Sequence, residues 1–136
     1  MFVVRPIQIK SEQCEICKAL GVPFFENAIA FYAADLKDDN TTVDSYISIC
    51  QFYFKGDAEI VSFAAADGRE EDEAVIIMLR AAMSFMHRCG VNFAFFAQEA
   101  ASEHWLKKSG FRYREGFWSI DLDKFYSAPC KYSDGD

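Results

Sequence analysis

The strongest constraint on this chain lies between residues 73 and 89. Within that stretch only Glu73, Arg80, Ser84, His87 and Arg88 are polar, and steps of seven, four, three and one put them on one narrow helical stripe. Val75, Ile76, Ile77, Met78, Leu79, Met83, Phe85 and Met86 fill the remaining surface, so a helix over 73–89 must be mostly buried. Gly90 stops it, and 91–97, VNFAFFA, is a continuous apolar run of strand length, the pattern of a strand covered on both faces. Upstream, 59–66 is β-rich. A strand, a covering helix and a second strand make a βαβ unit, which is expected to cross over right-handed with its strands parallel.

The rest of the chain must fit around that unit. Residues 2–9 are apolar and β-branched enough for a first strand, which Pro6 assigns to a sheet edge. Ser11 then reads as an N-cap, 12–20 as a short helix and Gly21 as its stop. A second strand is expected over 28–34, followed by the polar loop LKDDNTTVDS. The runs 46–54 and 59–66, joined by Lys55-Gly56-Asp57-Ala58, carry a hairpin signal, so three consecutive antiparallel strands are predicted. A second short helix over 102–108 closes at Gly110, and 113–122 reads as a last strand bounded by Gly116 or bulged there.

A chain of 136 residues suits a single domain over 1–136, large enough to bury about two-thirds of its unfolded surface. Its apolar share of 51 % and aromatic share of 16 % are those of a globular protein, not a disordered one. No apolar run approaches the ~20 residues needed to cross a bilayer, and MFVVRPIQIK is interrupted too early by Arg5 and Pro6 to be a secretory signal. A cytoplasmic protein without a membrane partner is therefore expected. A net charge of −7 offers no basic patch for a phosphate backbone, so no nucleic-acid partner is expected either. Cys14, Cys17, Cys50, Cys89 and Cys130 are an odd set, and reduced thiols are the default. Cys14 and Cys17 form a C-x-x-C that suits either redox chemistry, half a zinc site, or two small apolar residues on one helix face. Zinc would need a second ligand pair, and only the scattered His87 and His104 are at hand, so no metal is expected.

Between the β-rich run and the long helix lies ADGREEDEA, residues 66–74. Strand, glycine-containing loop and helix N-terminus is an arrangement that holds phosphates, because the first helical amides are unpaired and carry partial positive charge. This loop, however, is filled with carboxylates. Asp67 and Glu70 have capping-box spacing, and acidic residues in a first turn interact favourably with the helix dipole by roughly 0.3 to 1 kcal/mol each. Self-capping would occupy the amides that an incoming phosphate needs, so the two readings compete.

The order β, α, three strands, α, β, α, β resembles the GNAT superfamily of acyl-CoA-dependent N-acyltransferases over nearly the whole chain. The likeness is strongest from Asp57 to Leu122 and rests on EIVSFAAA, the loop Arg69-Glu70-Glu71-Asp72-Glu73-Ala74 against the pattern R/Q-x-x-G-x-G/A, the long helix, VNFAFFA, and SEHWLKKSGF with Gly110 and Phe111. It implies a mixed α/β (α+β) GNAT-like fold with antiparallel N-terminal strands and splayed central parallel strands. It also implies transfer of an acetyl or other acyl group from acetyl-CoA or CoA thioesters to an amine on a small molecule or peptide. In that setting Arg69 and the amides around Asp72, Glu73 and Ala74 would hold pyrophosphate, and the backbone of Ala65 and Ala66 would align pantetheine.

Three departures from the pattern stand out. Asp72 replaces the loop's first glycine, where backbone approaches pyrophosphate closely. Leu106 occupies the position that commonly carries a tyrosine proton donor. One helix, not two, precedes the second strand. A carboxylate ~6 Å from one phosphate charge costs about 3 kcal/mol at an effective dielectric near 20 and about 0.7 kcal/mol in water. Even with solvent-like screening, Glu70, Glu71, Asp72 and Glu73 together cost on the order of 1 to 3 kcal/mol, and each ~1.4 kcal/mol is tenfold in affinity. Arg69 offsets part of this. The alternative to an enzyme is a catalytically degenerate module whose cleft takes another ligand or a partner protein.

For catalysis, Glu99 just past the fifth strand and Glu59 at the start of the fourth are candidate bases, and solvated surface carboxylates are the competing identity for both. His104 on the short helix is a candidate proton donor in place of the missing tyrosine. Trp118 and Tyr126 are placed to line a pocket or a homodimer contact, while the other aromatics read as core.

Overall fold

A computed structural model describes residues 1–96 and 103–127. Its elements in chain order are β1 (Phe2–Pro6), α1 (Lys10–Leu20), β2 (Ile29–Leu36), β3 (Val43–Lys55), β4 (Asp57–Ala65), α2 (Glu73–Arg88), β5 (Phe93–Phe96), α3 (Glu103–Lys108), β6 (Arg112–Arg114), β7 (Phe117–Asp121) and α4 (Leu122–Ser127). The seven strands form one sheet in the order β1-β2-β3-β4-β5-β7-β6. Only the β4–β5 pair is parallel; the others are antiparallel, with β2, β3 and β4 consecutive as expected. β1, carrying Pro6, lies at one edge, where a residue without an amide hydrogen costs no ladder bond.

The long helix is buried as its sequence requires. Met78, Leu79, Met83 and Met86 of α2 are fully enclosed against β1, β2 and β3, each worth about 1.5–3 kcal/mol of burial. Ile77 is 39 % exposed because it falls on the same stripe as Glu73 and Arg80. On the opposite sheet face α1 buries Ile16 and Cys17 against Tyr32, Ala34 and Ile49. Cys17 is thus a core residue, and burial pushes its thiol above the ordinary value. Two buried glutamines tie α1 down: Gln13 donates to Gln51 at 2.8 Å, and Gln51 in turn donates to the carbonyl of Pro23 and accepts from the amide of Phe25.

Several boundaries differ from the sequence expectation for physical reasons. α1 begins at Lys10, and no side chain caps it; Lys10 itself fixes the first turn by donating to Gln13 and to the carbonyl of Ala28. β2 and β3 extend into the expected polar loop, leaving a turn held by Asp39, which accepts from the amides of Thr41 and Thr42. The expected single strand over 113–122 is a hairpin. Glu115 and Gly116 both adopt positive φ, 54° and 95°, which matches the twist of a two-residue turn between paired Arg114 and Phe117. α4 then follows, with Asp121 accepting from the amide of Lys124 at 3.0 Å. No helix among the described residues is long and apolar enough to cross a membrane.

Candidate functional site

The parallel strands part soon after they meet. β4 pairs with β5 through Ala58, Glu59 and Ile60 alone, and among the described residues its last five positions have no partner on that side. On the other edge β3 continues to the end of the strand, where the amide of Ala66 donates to Ile47 at 2.7 Å. Backbone groups alternate along a strand, so Ala65, paired with Ser48 but not bonded to it, turns its amide and carbonyl toward the open side. Ala66 is not available in the same way. Its amide is taken by Ile47 and its carbonyl accepts from the amide of Arg69 at 2.9 Å.

The loop into α2 is closed by its own side chains. Asp72 is the N-cap, with φ −62° and ψ 136°, and its Oδ1 accepts from the amide of Ala74 at 2.9 Å. The capping box expected at Asp67 and Glu70 does not form, because helical geometry starts only at Glu73; Glu70 instead accepts from the amide of Gly68 at 3.1 Å. The amide of Asp72 donates to Arg69 and that of Val75 to Asp72. Most of the donors that a loop of this kind would offer an anion are thereby engaged.

Arg69 is engaged as well. Its Nε and NH2 donate to Asp72 Oδ2 at 2.9 and 2.7 Å, and its NH1 reaches across to Asp35 Oδ2 on β2 at 2.9 Å. Asp35 also accepts from the hydroxyl of Ser45 at 3.2 Å. The guanidinium holds the Asp35 carboxyl below the ordinary carboxylate range, and the two carboxylates hold the Arg69 pKa up. On the far side of the loop, Trp105 of α3 donates its indole N–H to the carbonyl of Glu70 at 2.7 Å. The loop is thus pinned to β2 at one end and to α3 at the other.

The remaining candidates separate. Leu106, in the proton-donor position, is fully buried in the main core and presents nothing to the cleft. His104 is exposed on α3, with its ring 4.7 Å from that of its sequence neighbour Trp105. Glu59 is half-buried near the start of β4, roughly 20 Å along the strand from Ala65 and one residue before the strands part, and it pairs with Lys55 at 3.7 Å. Glu99 lies outside the described residues. Trp118 packs edge-on against Tyr113 and Tyr126 stacks on His87 at 4.7 Å. Asp35 is the member of this constellation that sequence reading missed; it lies 34 residues before Arg69, and only the sheet brings them together.

No family model matches the chain, and no curated protein matches it. Solved structures do. A chain of the NatC complex bound to Gag peptide and CoA matches with a TM-score of 0.65 and 13 % identity, over 88 % of this chain and 98 % of that one. The ribosomal-protein-S18-alanine N-acetyltransferase from Escherichia coli matches with a TM-score of 0.64 and 10 % identity, over 90 % and 94 %. A GNAT family acetyltransferase from Brucella melitensis in complex with acetyl-CoA matches with a TM-score of 0.61 and 11 % identity, over 89 % and 88 %. The chain therefore has the GNAT fold, with a seven-stranded mixed sheet, one parallel pair and four helices among the described residues.

Proposed function

We propose that the chain is a GNAT-type N-acetyltransferase, acting in the cytoplasm on an amine of a small molecule or peptide, with a pyrophosphate loop that its own carboxylates hold closed at rest. The observation that carries this reading is the parting of β4 and β5 beside the α2 N-terminus, with the backbone of Ala65 turned into the gap. A pantetheine arm fits such an edge, because an extended amide chain can replace the missing strand. Pyrophosphate fits less well. It can take the first amides of α2 only when Asp72 releases Ala74 and Arg69 turns from Asp72 and Asp35 toward the phosphates. Ala65, Arg69 and the amides of Asp72, Glu73 and Ala74 are the groups assigned to binding.

Acetyl-CoA supplies the acyl group as a thioester. The chain's part is to hold it beside the amine and to supply a proton to the departing sulfur, for which His104 is the assigned donor. A second reading has a specific observation in its favour. Leu106 is fully buried where a tyrosine donor is usual and the loop donors are internally engaged, which suits a catalytically degenerate module serving another ligand or a partner protein.

The test is release of free thiol from acetyl-CoA in the presence of a panel of amines and amino-terminal peptides. Turnover with one of them, reduced about tenfold or more in His104→Ala, supports the transferase and the donor. Turnover unchanged in His104→Ala removes the donor role and keeps the transferase. No thiol release, with acetyl-CoA at millimolar concentration, favours the module.

A further inference from the structure

A cavity of about 500 Å³ opens where β5, β7 and β6 meet α4, and none of its lining comes from the loop into α2. Strand pairing explains who meets there. Phe93 stands opposite Asp121, Phe95 opposite Ser119, and Ser119 opposite Arg112, so these side chains share one face of β5, β7 and β6, and Arg114 joins them two residues on. The other face of the same strands carries Ala94, Phe96 and Ile120 into the core with α2, and Ile120 also edges the cavity beside Gly110 and Phe125. Lys124 of α4 reaches the cavity from its floor, beside Phe125. The floor depends on Gly110, whose φ is 98°; a Cβ there would stand 3.0 Å from the Phe125 ring.

The charge of this cavity runs against that of the chain. The protein has 21 acidic and 14 basic residues, yet Arg112, Arg114 and Lys124 converge here. Among the described residues none of the three forms an ion pair with a carboxylate, whereas Arg69 has two such partners. The one carboxylate of the lining, Asp121, caps α4 by accepting from the amide of Lys124 and keeps its charge, so the lining carries three cations against one anion. Ser119 adds a hydroxyl, and Phe93, 47 % exposed, supplies an apolar wall with Phe125. An excess of cations beside the exposed Phe93 and the half-buried Phe125 supplies the two halves of a site for an organic anion.

We propose that this cavity is a binding site for a small organic anion, a carboxylate or phosphate carried on an aromatic or aliphatic body. Arg112, Arg114 and Lys124 take the anion, and Phe93 and Phe125 take the body. The site does not depend on acyl transfer. Its groups, on β5, β7, β6 and α4, differ from those assigned to pyrophosphate.

Titration of the isotope-labelled protein, followed by amide chemical shifts, tests this directly. The probes are phenyl phosphate, phenylacetate, inorganic phosphate and benzyl alcohol, in the absence of acetyl-CoA. At least one of the two aromatic anions is expected to shift Phe93, Arg112, Ser119 and Lys124, binding at least tenfold tighter than benzyl alcohol or inorganic phosphate. Which aromatic anion binds tighter separates a carboxylate ligand from a phosphate one. A double variant, Arg112→Gln with Lys124→Gln, should weaken that binding at least tenfold while thermal stability stays unchanged. Equal binding of the neutral alcohol, shifts confined to residues 66–74, or an unaltered double variant would overturn the proposal. Because the titration reads no turnover, its failure leaves the transferase untouched, and an inactive transferase leaves the anion site untouched.

Discussion

Two regions of this molecule carry cations of the kind that bind anions, and they have been treated in opposite ways by the same sequence. At the start of α2, Arg69 and the first amides stand where a helix terminus attracts negative charge, and Asp72, Asp35 and Glu70 satisfy them from within. Beside β5, β7 and β6, where α4 begins, Arg112, Arg114 and Lys124 meet without an ion pair among the described residues. The difference teaches that a loop pattern does not by itself make an anion site. What counts is whether donors are left over once the protein has satisfied its own groups.

α3 connects the two regions: Trp105 holds the loop, and Gly110 at its end floors the cavity. The largest effect should therefore come from Leu106→Ala, which empties a fully buried position between them and should cost about 2–5 kcal/mol in chemical denaturation. A loss much below that range would mean that α3 does not anchor either region. Next comes Asp72→Ala. It removes the cap of α2 and one arm of the Arg69 clamp, with an expected loss of about 0.5–2 kcal/mol, whereas Arg112→Gln on the uncompensated face should cost less than about 0.5 kcal/mol. Equal losses at the two sites, measured by thermal melts, would erase the distinction between satisfied and unsatisfied cations.

Smaller still is Asp35→Asn, since a partly exposed pair contributes at most about 1 kcal/mol. Its pH dependence sharpens the comparison. Asp35 has a native pKa below its ordinary 3.8, so its contribution is present above that value and is lost as pH falls through the native one. The stability gap between wild type and Asp35→Asn should hold at neutral pH and close as pH falls below 3.8 through the lowered native pKa. A gap that persists in acid would mean that Asp35 acts by packing rather than by charge.

Much of the fold was legible because periodicity is local. The apolar sides of α2 dictated a covered helix, and Gly56 marked the β3–β4 hairpin, whereas VNFAFFA gave the strand β5 but not its burial: only Ala94 and Phe96 are covered, while Phe93 is exposed and Phe95 half-buried. The β6–β7 hairpin was not legible, since Glu115 is an unfavourable residue for a left-handed turn position and nothing in its neighbours compensates for that. The loop's closure could be anticipated from its carboxylates, but its geometry could not. Which carboxylate caps α2 depends on where the helix starts, and Asp35 meets Arg69 only through the sheet. The anion cavity was hidden for the same reason, because Arg112, Arg114 and Lys124 converge only once the unforeseen hairpin and α4 are in place.

The most direct test of the closed loop is calorimetric titration of wild type and Asp72→Gly with acetyl-CoA. Glycine keeps most of the capping preference while removing the carboxylate that occupies Ala74 and clamps Arg69. Closure predicts that wild type binds at tens to hundreds of micromolar and that Asp72→Gly binds at least about tenfold tighter, corresponding to ~1.4 kcal/mol. Low-micromolar binding by wild type, unchanged in Asp72→Gly, would contradict it.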